Sequence, residues 1–390
     1  MPADDDHSAG VTGAIRVRRR QMRVRRSPHL VVFWRRGVLV ATNYATRDTT
    51  AVTPFICQLL DACEAWTTVP RLAARLGAPA DAALGELLSH LLTHHLIEEA
   101  GAAANPRVQA MARLDPWNPE AGFFHTRTRD VAFATTRQAA RHAKSQAEQW
   151  PMPPVVKRYP RGTRAIPLPP PRRDGEFPQV LTARRTWRRF SVRPIGREDL
   201  ATLLGLTSGI QAWATAAGQE LALKTSPSGG ARHAIETYVA VRDVAGVPAG
   251  IYHYAPDRHA LERIRGPVSR ERLKAYLPNS GYFAAASAIV FFTVLFERIL
   301  WRYPYSRAYR AALVEAGHLC QTFCLTATWL GLAPYCVMGL ADTLIEQDLQ
   351  IDGISEAVLY TAGVGRPPAR SSSGSLTKGR LAVSVNGAMK

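Results

Sequence analysis

The ten residues Ser287 to Phe296, SAIVFFTVLF, constrain this chain more than any other stretch. Apolar β-formers follow one another without a polar alternation. Such a run reads as a strand buried on both faces. The wider apolar run, Ala284 to Phe296, is too short to cross a bilayer. A long helix, Arg307 to Leu330, comes next; it contains Glu315-Ala316-Gly317-His318 and is closed by Gly331. It is apolar almost all round and therefore central. Ala357 to Val364, AVLYTAGV, supplies a last strand.

Upstream, Pro227-Ser228-Gly229-Gly230 sets two residues without Cβ side by side. Strands follow at Glu236–Val241 and Gly250–Tyr254, and Pro256-Asp257 turns the second back onto Ala260–Ile264. A Gly-Gly turn leading into a strand lets backbone N–H groups approach a flat or anionic ligand; it also serves as a plain surface turn. Phe177–Thr186 and Glu198–Leu206 read as short helices. Strands mixed with a buried central helix predict an α+β fold, a mixed sheet flanked by helices.

At 390 residues, the chain has room for two or three domains. Residues 1–14 read as a disordered tail. Residues 15–100 read as a winged-helix-like unit, after a hairpin at His29–Val40 that turns at Arg35-Arg36-Gly37. Phe55, Leu59, Leu60 and Cys63 sit at helix spacing; Val69–Leu76 is closed by Gly77; Asp81–Leu96 turns Leu84, Leu87, Leu88, Leu91 and Leu92 inward. Its last helix carries Glu86, His90, His94 and His95 and little positive charge, which favours a protein or peptide partner over DNA. Residues 101–178 read as a connecting region, with a polar helix at Ala132–Gln149 and an extended Pro/Arg-rich arm from Trp150 to Pro178. Residues 179–370 form the catalytic domain, and 371–390 a flexible tail.

The net charge is +18, from 49 basic and 31 acidic residues, which points to an anionic partner. Seven arginines crowd into residues 15–26. They form either an arm for nucleic acid or a leader peptide, or a solvated edge strand with Ile15, Val17, Met22 and Val24 on its apolar face. Cys57, Cys63, Cys320, Cys324 and Cys336 show no CxxC pair and no Cys/His metal spacing, so no metal site is expected. Reduced thiols and the lack of an apolar signal segment imply a cytoplasmic protein.

The densest chemistry lies at Arg184 to Phe190, RRTWRRF: four cations and a hydroxyl in seven residues. A phosphate dianion needs charge-assisted donors, and Arg forks supply them; a basic helix end is also often merely solvated. RRTWRRF, PSGGARHAIETYVAV followed by GIYHY, the Glu315-Ala316-Gly317-His318 helix with Gln321, Pro334 to Gly339 and Gly363 to Pro367 occur in one order. Together they resemble the SagB-type dehydrogenases, the peptide-oxidising branch of the FMN-dependent nitroreductase superfamily. The Phe124-His125 and Ile166–Pro169 phrasing is similar too, so the resemblance spans about residues 115–370, with a weaker echo before that.

This resemblance implies a nitroreductase-like FMN-binding fold with an N-terminal winged-helix-like domain. It implies that Arg184, Thr186 and Arg188 hold the FMN phosphate and flavin edge; Arg185 is a further cofactor-binding candidate, unless it faces solvent together with Arg189. It sets Ser228, Gly229 and Gly230 against the flavin, Met338 and Gly339 in the loop near N5 and O4, and Gly365 and Arg366 at the closing turn. Lys224 and Arg232, close to the Gly turn, are candidates to stabilise reduced flavin. Azoline-oxidising members often carry a Lys-Tyr pair before an Arg-x-Tyr-Arg helix start. Here Arg307-Ala308-Tyr309-Arg310 is present and the Lys is missing. Tyr303 or Tyr305 is then the candidate base, with Arg302 or Arg307 lowering its pKa; otherwise these rings shape the pocket wall. The expected activity is oxidation of a residue or azoline-type heterocycle in a ribosomally made peptide. Expected partners are a precursor peptide with an acidic leader, a second copy of the chain and a cyclase or other maturation enzyme. No membrane is expected, and nucleic acid is disfavoured. The alternatives are an NAD(P)H-dependent nitro or quinone reductase, and a nucleic-acid-binding winged-helix protein with a degenerate oxidoreductase domain.

Overall fold

The computed structural model describes residues 22–149, 166, 168–216 and 218–369. Residues 15–21, most of the Pro/Arg-rich arm and the C-terminal tail lie outside them. The first unit runs β1 (Arg23–Arg26), β2 (Leu30–Arg35), β3 (Val38–Asn43), β4 (Thr49–Ala51), α1 (Pro54–Ala62), β5 (Thr67–Thr68), α2 (Val69–Leu76), α3 (Ala82–Thr93) and β6 (Ile97–Glu99). Thr53 caps α1 and Asp81 caps α3 with side-chain oxygens, and Gly77 closes α2 in the left-handed region. Three helices above a small sheet give the winged-helix-like arrangement, cored by Val24, Leu59, Leu60, Cys63, Leu72, Leu88, Leu91 and Leu96. One expectation fails in detail: Leu87 and Leu92, read as inward, are only half-buried. Of the arginine-rich stretch, Arg23–Arg26 forms β1, which lies between β5 and β6 with Val24 fully buried, so this part is no sheet edge, and residues 15–21 lie outside the described residues.

The chain continues through α4 (Pro106–Ala112), α5 (Pro119–Arg127), α6 (Thr136–Gln149) and α7 (Glu176–Ala183). Then come β7 (Ile195–Gly196), α8 (Arg197–Ser208), β8 (Ala212–Ala216), β9 (Gln219–Leu223), β10 (Ile235–Val241), β11 (Val244–Ala245), β12 (Gly250–Ala255) and β13 (Ala260–Arg265). The last elements are α9 (Arg270–Ala275), β14 (Ala288–Leu295), α10 (Phe296–Arg302), α11 (Ala308–Trp329), β15 (Ala333–Val337), α12 (Asp342–Leu349) and β16 (Glu356–Gly365). Six strands form the main sheet in the order β13-β12-β10-β14-β16-β15, every neighbour antiparallel.

Alternation along β14 explains why its sequence showed none. Ala288, Val290, Phe292 and Val294 face the core beneath α8 and α11, while Ile289 and Phe291 face a second core beneath α9 and α12. Thr293, the polar residue of β14, is buried as well and donates to Glu356 Oε1 at 2.6 Å, so no position is left for a solvated residue. Residues 106–129, within the stretch read as a connector, also pack into this body. Met111, Leu114 and Trp117 join the α11 core. Neutral His125 is buried, its pKa pushed down to about 3 by desolvation; its Nε2–H donates to the Gly353 carbonyl at 3.0 Å and its Nδ1 accepts from the Tyr309 hydroxyl at 3.2 Å.

Gly363 marks the tightest approach on the sheet. A Cβ there would fall inside the Tyr335 ring, which is itself stacked on Phe283 at 3.9 Å and 4°. Gly363→Ala should therefore destabilise the fold by about 1–3 kcal/mol, the scale of an overpacked core. A lowered denaturant midpoint at unchanged slope would report it, and an unmoved midpoint would refute the crowding.

Candidate functional site

The central helix α11 organises the candidate residues, which fall into two groups along it. The first surrounds its middle. Ser228 Oγ donates to Glu315 Oε2 at 2.7 Å and accepts from the His233 N–H at 2.8 Å. Glu315 is buried and its pKa is raised by desolvation; Oε1 also accepts from the Ile235 N–H at 3.4 Å. Ser228 therefore pins the Gly turn to the helix. Gly230 takes φ 59°, a conformation that costs a side-chain-bearing residue energy. A Cβ on Gly229 would stand 3.2 Å from the Tyr303 ring, and one on Gly230 3.3 Å from its hydroxyl. The turn and the candidate base thus meet. Tyr305 lies half-exposed, its ring centre 6.0 Å from that of Tyr303. Arg302 sits over Tyr303 at 5.5 Å, while Arg307 is an exposed residue at the start of α11.

A cavity of about 600 Å³ opens beside this turn, between the β8–β9 and β12–β13 hairpins. Lys224 and Arg232 both line it, as do His233, Glu236, His253 and Arg298. Burial pushes the Lys224 ammonium pKa down against the pull of Glu236. Burial and Lys224 together push His233 down to about 4, so it is neutral and donates Nε2–H to the Ala222 carbonyl at 2.8 Å. His253 bridges two carboxylates, Glu236 at 2.7 Å and Glu262 at 3.0 Å. The Glu236 hydrogen bond, above all, raises its pKa; burial alone would raise Glu236, but His253 and Arg298 bring it below the usual carboxylate value.

A histidine held up in this way stabilises the fold fully below its unfolded pKa of about 6.5, and the contribution is lost as pH rises through the folded value. Glu236, held down, contributes above its unfolded pKa of about 4.5 and loses that contribution as pH falls through the folded one. His253→Gln should cost about 1.5 kcal/mol near pH 6, the low end for a bond to a charged group because the ring is partly solvated. The deficit should shrink by pH 9. Equal deficits at both pH values in urea titrations would mean that His253 acts by packing alone.

The second group lies toward the C-terminal end of α11. The 184–190 segment leaves α7 and runs beside β15 and the end of β16: Trp187 N–H donates to the Pro334 carbonyl at 3.0 Å and Ser191 N–H to that of Arg366 at 2.9 Å. Arg184 and Thr186 are half-buried and Arg188 is exposed. Arg185 stacks over Trp187 at 4.6 Å. A Cβ on Gly365 would stand 2.8 Å from Phe190. Arg366 donates to the Pro194 carbonyl at 2.7 Å and pairs with Asp199 at 3.4 Å. Met338 is exposed, and Gly339 lies beside Phe133 and the Pro278 carbonyl.

The structure thus brings the backbone of the 184–191 segment to Pro334 and Arg366 and Phe190 to Gly365, and Gly229 and Gly230 to Tyr303. These are two groups along one helix. Their helix anchors, Glu315 and Cys324, are nine residues apart, about 14 Å along the axis. Sequence reasoning gave no role to Glu236, His253 or Glu315, whose partners lie 9 to 87 residues away. It also gave none to the cluster of Cys320, Cys324 and Cys336. Among the described residues, no helix is long and apolar enough to cross a membrane.

Residues 181–366 match the nitroreductase family. MJ1384 of Methanocaldococcus jannaschii, named as a nitroreductase, is 33% identical over 187 residues, 48% of this chain and 89% of that protein. The trifolitoxin-processing protein TfxB of Rhizobium leguminosarum bv. trifolii is 34% identical over 43% of this chain, and the microcin B17-processing protein McbC of Escherichia coli 28% over 36%. The chain spans about half the length of these last two, 47% and 53%. Two processing proteins among its relatives bear out the resemblance to the SagB-type branch, and this chain belongs to the nitroreductase family.

Proposed function

We propose that the chain is an FMN-dependent dehydrogenase that oxidises a residue or azoline-type heterocycle in a ribosomally made peptide. The observation that carries this reading is the division of the candidate residues between the middle and the C-terminal end of one central helix. The basic segment 184–189 with the turn at Gly365 suits a phosphate dianion, and the Gly229-Gly230 cradle suits a flat ring. The chemistry of both donor sets fits FMN, which when bound supplies a two-electron acceptor.

A second copy of the chain completes the site in this reading. The outward face of α11 leaves Leu313, Val314 and Trp329 exposed along with Gly317 and Gln321. Pairing of two such faces sets the arginine group of one chain against the Gly turn of its partner. Lys224 and Arg232 place positive charge near the turn, where reduction of a flavin adds negative charge. Tyr303 is the better placed of the two phenols to take a substrate proton, because it touches the turn. The N-terminal unit holds the precursor peptide or a further maturation enzyme such as a cyclase, and an acidic leader suits the +18 charge.

The test begins with colour. Purified chain should be yellow and release FMN on denaturation, and FMN should raise its melting temperature. With a precursor peptide encoded beside its gene, it should remove the mass of two hydrogens per oxidation. Tyr303→Phe should keep the flavin and lose the oxidation; continued oxidation would return Tyr303 to the pocket wall. A colourless protein that FMN does not stabilise would sink the reading. A nitro or quinone reductase, the reading favoured by the name of MJ1384, would instead consume NAD(P)H steadily with menadione.

A further inference from the structure

We propose that Cys320, Cys324 and Cys336 bind a soft d10 cation, zinc(II) or copper(I), that fastens α11 to β15. The three sulfur atoms lie within 4.8 Å of one another. Metal–thiolate bonds of about 2.3 Å place bound sulfurs roughly 3.8–4.0 Å apart, so closing on an ion moves no sulfur pair by more than about 1 Å. Cys320 and Cys324 share one face of α11, one turn apart, and Cys336 faces them from the adjoining strand. A thiol is a weak donor and a weak acceptor, so hydrogen bonding among three of them is thin reason to gather them. Soft thiolates select zinc and copper(I) over magnesium or calcium.

The surroundings suit the ion's charge. Three thiolates leave a net charge of −1 around zinc(II) and −2 around copper(I). Arg184 lies close enough to act on both Cys324 and Cys336. Tyr360, on the neighbouring strand β16, lies close enough to act on Cys336 and would serve as an outer partner. A thiol must lose its proton to bind as thiolate, so binding releases protons and tightens as pH rises. Cys336 is half-buried, which leaves an entry path, while the other two are buried. The inference rests on these thiols; it shares Arg184 with the flavin reading, and its readouts are metal binding and thiol protection rather than flavin.

The test takes the full chain, reduced and stripped with chelator. Zinc(II) is titrated against a chromophoric chelator and copper(I), under nitrogen, against bicinchoninate. One equivalent per chain is expected, and the tighter arm names the ion. Cadmium(II) in place of zinc should give an ultraviolet thiolate charge-transfer band. Losing an outer partner alone costs up to about 100-fold in affinity, so Cys336→Ser should cost at least roughly that. Cys57→Ser should cost nothing. Should the serine variant fold poorly, the unaltered chain gives a second measurement: bound ion should protect Cys336 from iodoacetamide. Failure to compete in both arms, binding untouched by Cys336→Ser in folded protein, or alkylation of Cys336 at the same rate with ion present would each overturn the site.

Discussion

Glu346→Ala should destabilise this protein by about 3–5 kcal/mol, the range for removing one partner of a buried ion pair. Glu346 on α12 and Arg129, just after α5, pair with side chains only 3% and 6% exposed. Arg129 also donates to the Gly353 carbonyl, and Glu346 Oε1 accepts from the Val358 N–H at 3.2 Å. Without Glu346, the guanidinium keeps a single carbonyl partner in a dry site, and the Val358 N–H loses its acceptor. The cost is mostly the stranded charge rather than the value of the pair. Asp174→Asn is the contrast, since its pair with Arg172 is solvated on both sides and should leave the denaturant midpoint unmoved. If the two variants shift the midpoint equally, burial is not what matters at Glu346.

Arg184→Ala and Arg188→Ala should each weaken FMN by about 1.5–3 kcal/mol, the worth of a hydrogen bond to a charged group, or roughly ten- to hundredfold. The argument is local. Backbone bonds from Trp187 and Ser191 fix this segment against Pro334 and Arg366, so its side chains are held close to the Gly365 turn. Arg188 is the cleaner probe, because Arg184 also lies beside Cys336. Fluorescence titration of FMN reads both, with Arg172→Ala as a remote control. Full flavin occupancy in the double variant would remove the phosphate assignment from this segment. Arg366 is already engaged with Pro194 and Asp199, so its replacement should act on stability before it acts on the cofactor.

Much of the fold was legible where burial follows from local pattern. The unbroken run at β14 announced a strand covered on both faces, and the helix from Ala308 to Trp329 declared itself by apolar residues all round. The β10–β12–β13 meander followed from its turn residues, with Tyr238 opposite His253. The β8–β9 hairpin, AWATA and QELAL, escaped because small residues give no alternation. His125 and Arg129 read as connector residues, since what buries them is a carbonyl and a carboxylate more than 200 positions later. The arginine segment, the Gly turn and the tyrosines could be named as candidates from sequence. That they form two groups on one helix could not, because sequence order carries no distance. The thiol cluster stayed hidden for the same reason: Cys336 belongs to another strand, twelve residues past Cys324.

The main sheet ends at β15, and its outer side is met by the RRTWRRF segment, whose Trp187 bonds Pro334. The basic stretch is thus also a guard strip. Trimming the chain back past Ser191 would uncover the Pro334 carbonyl at the sheet's edge strand, an invitation to stray strands and to insoluble assembly, whatever becomes of the ligand.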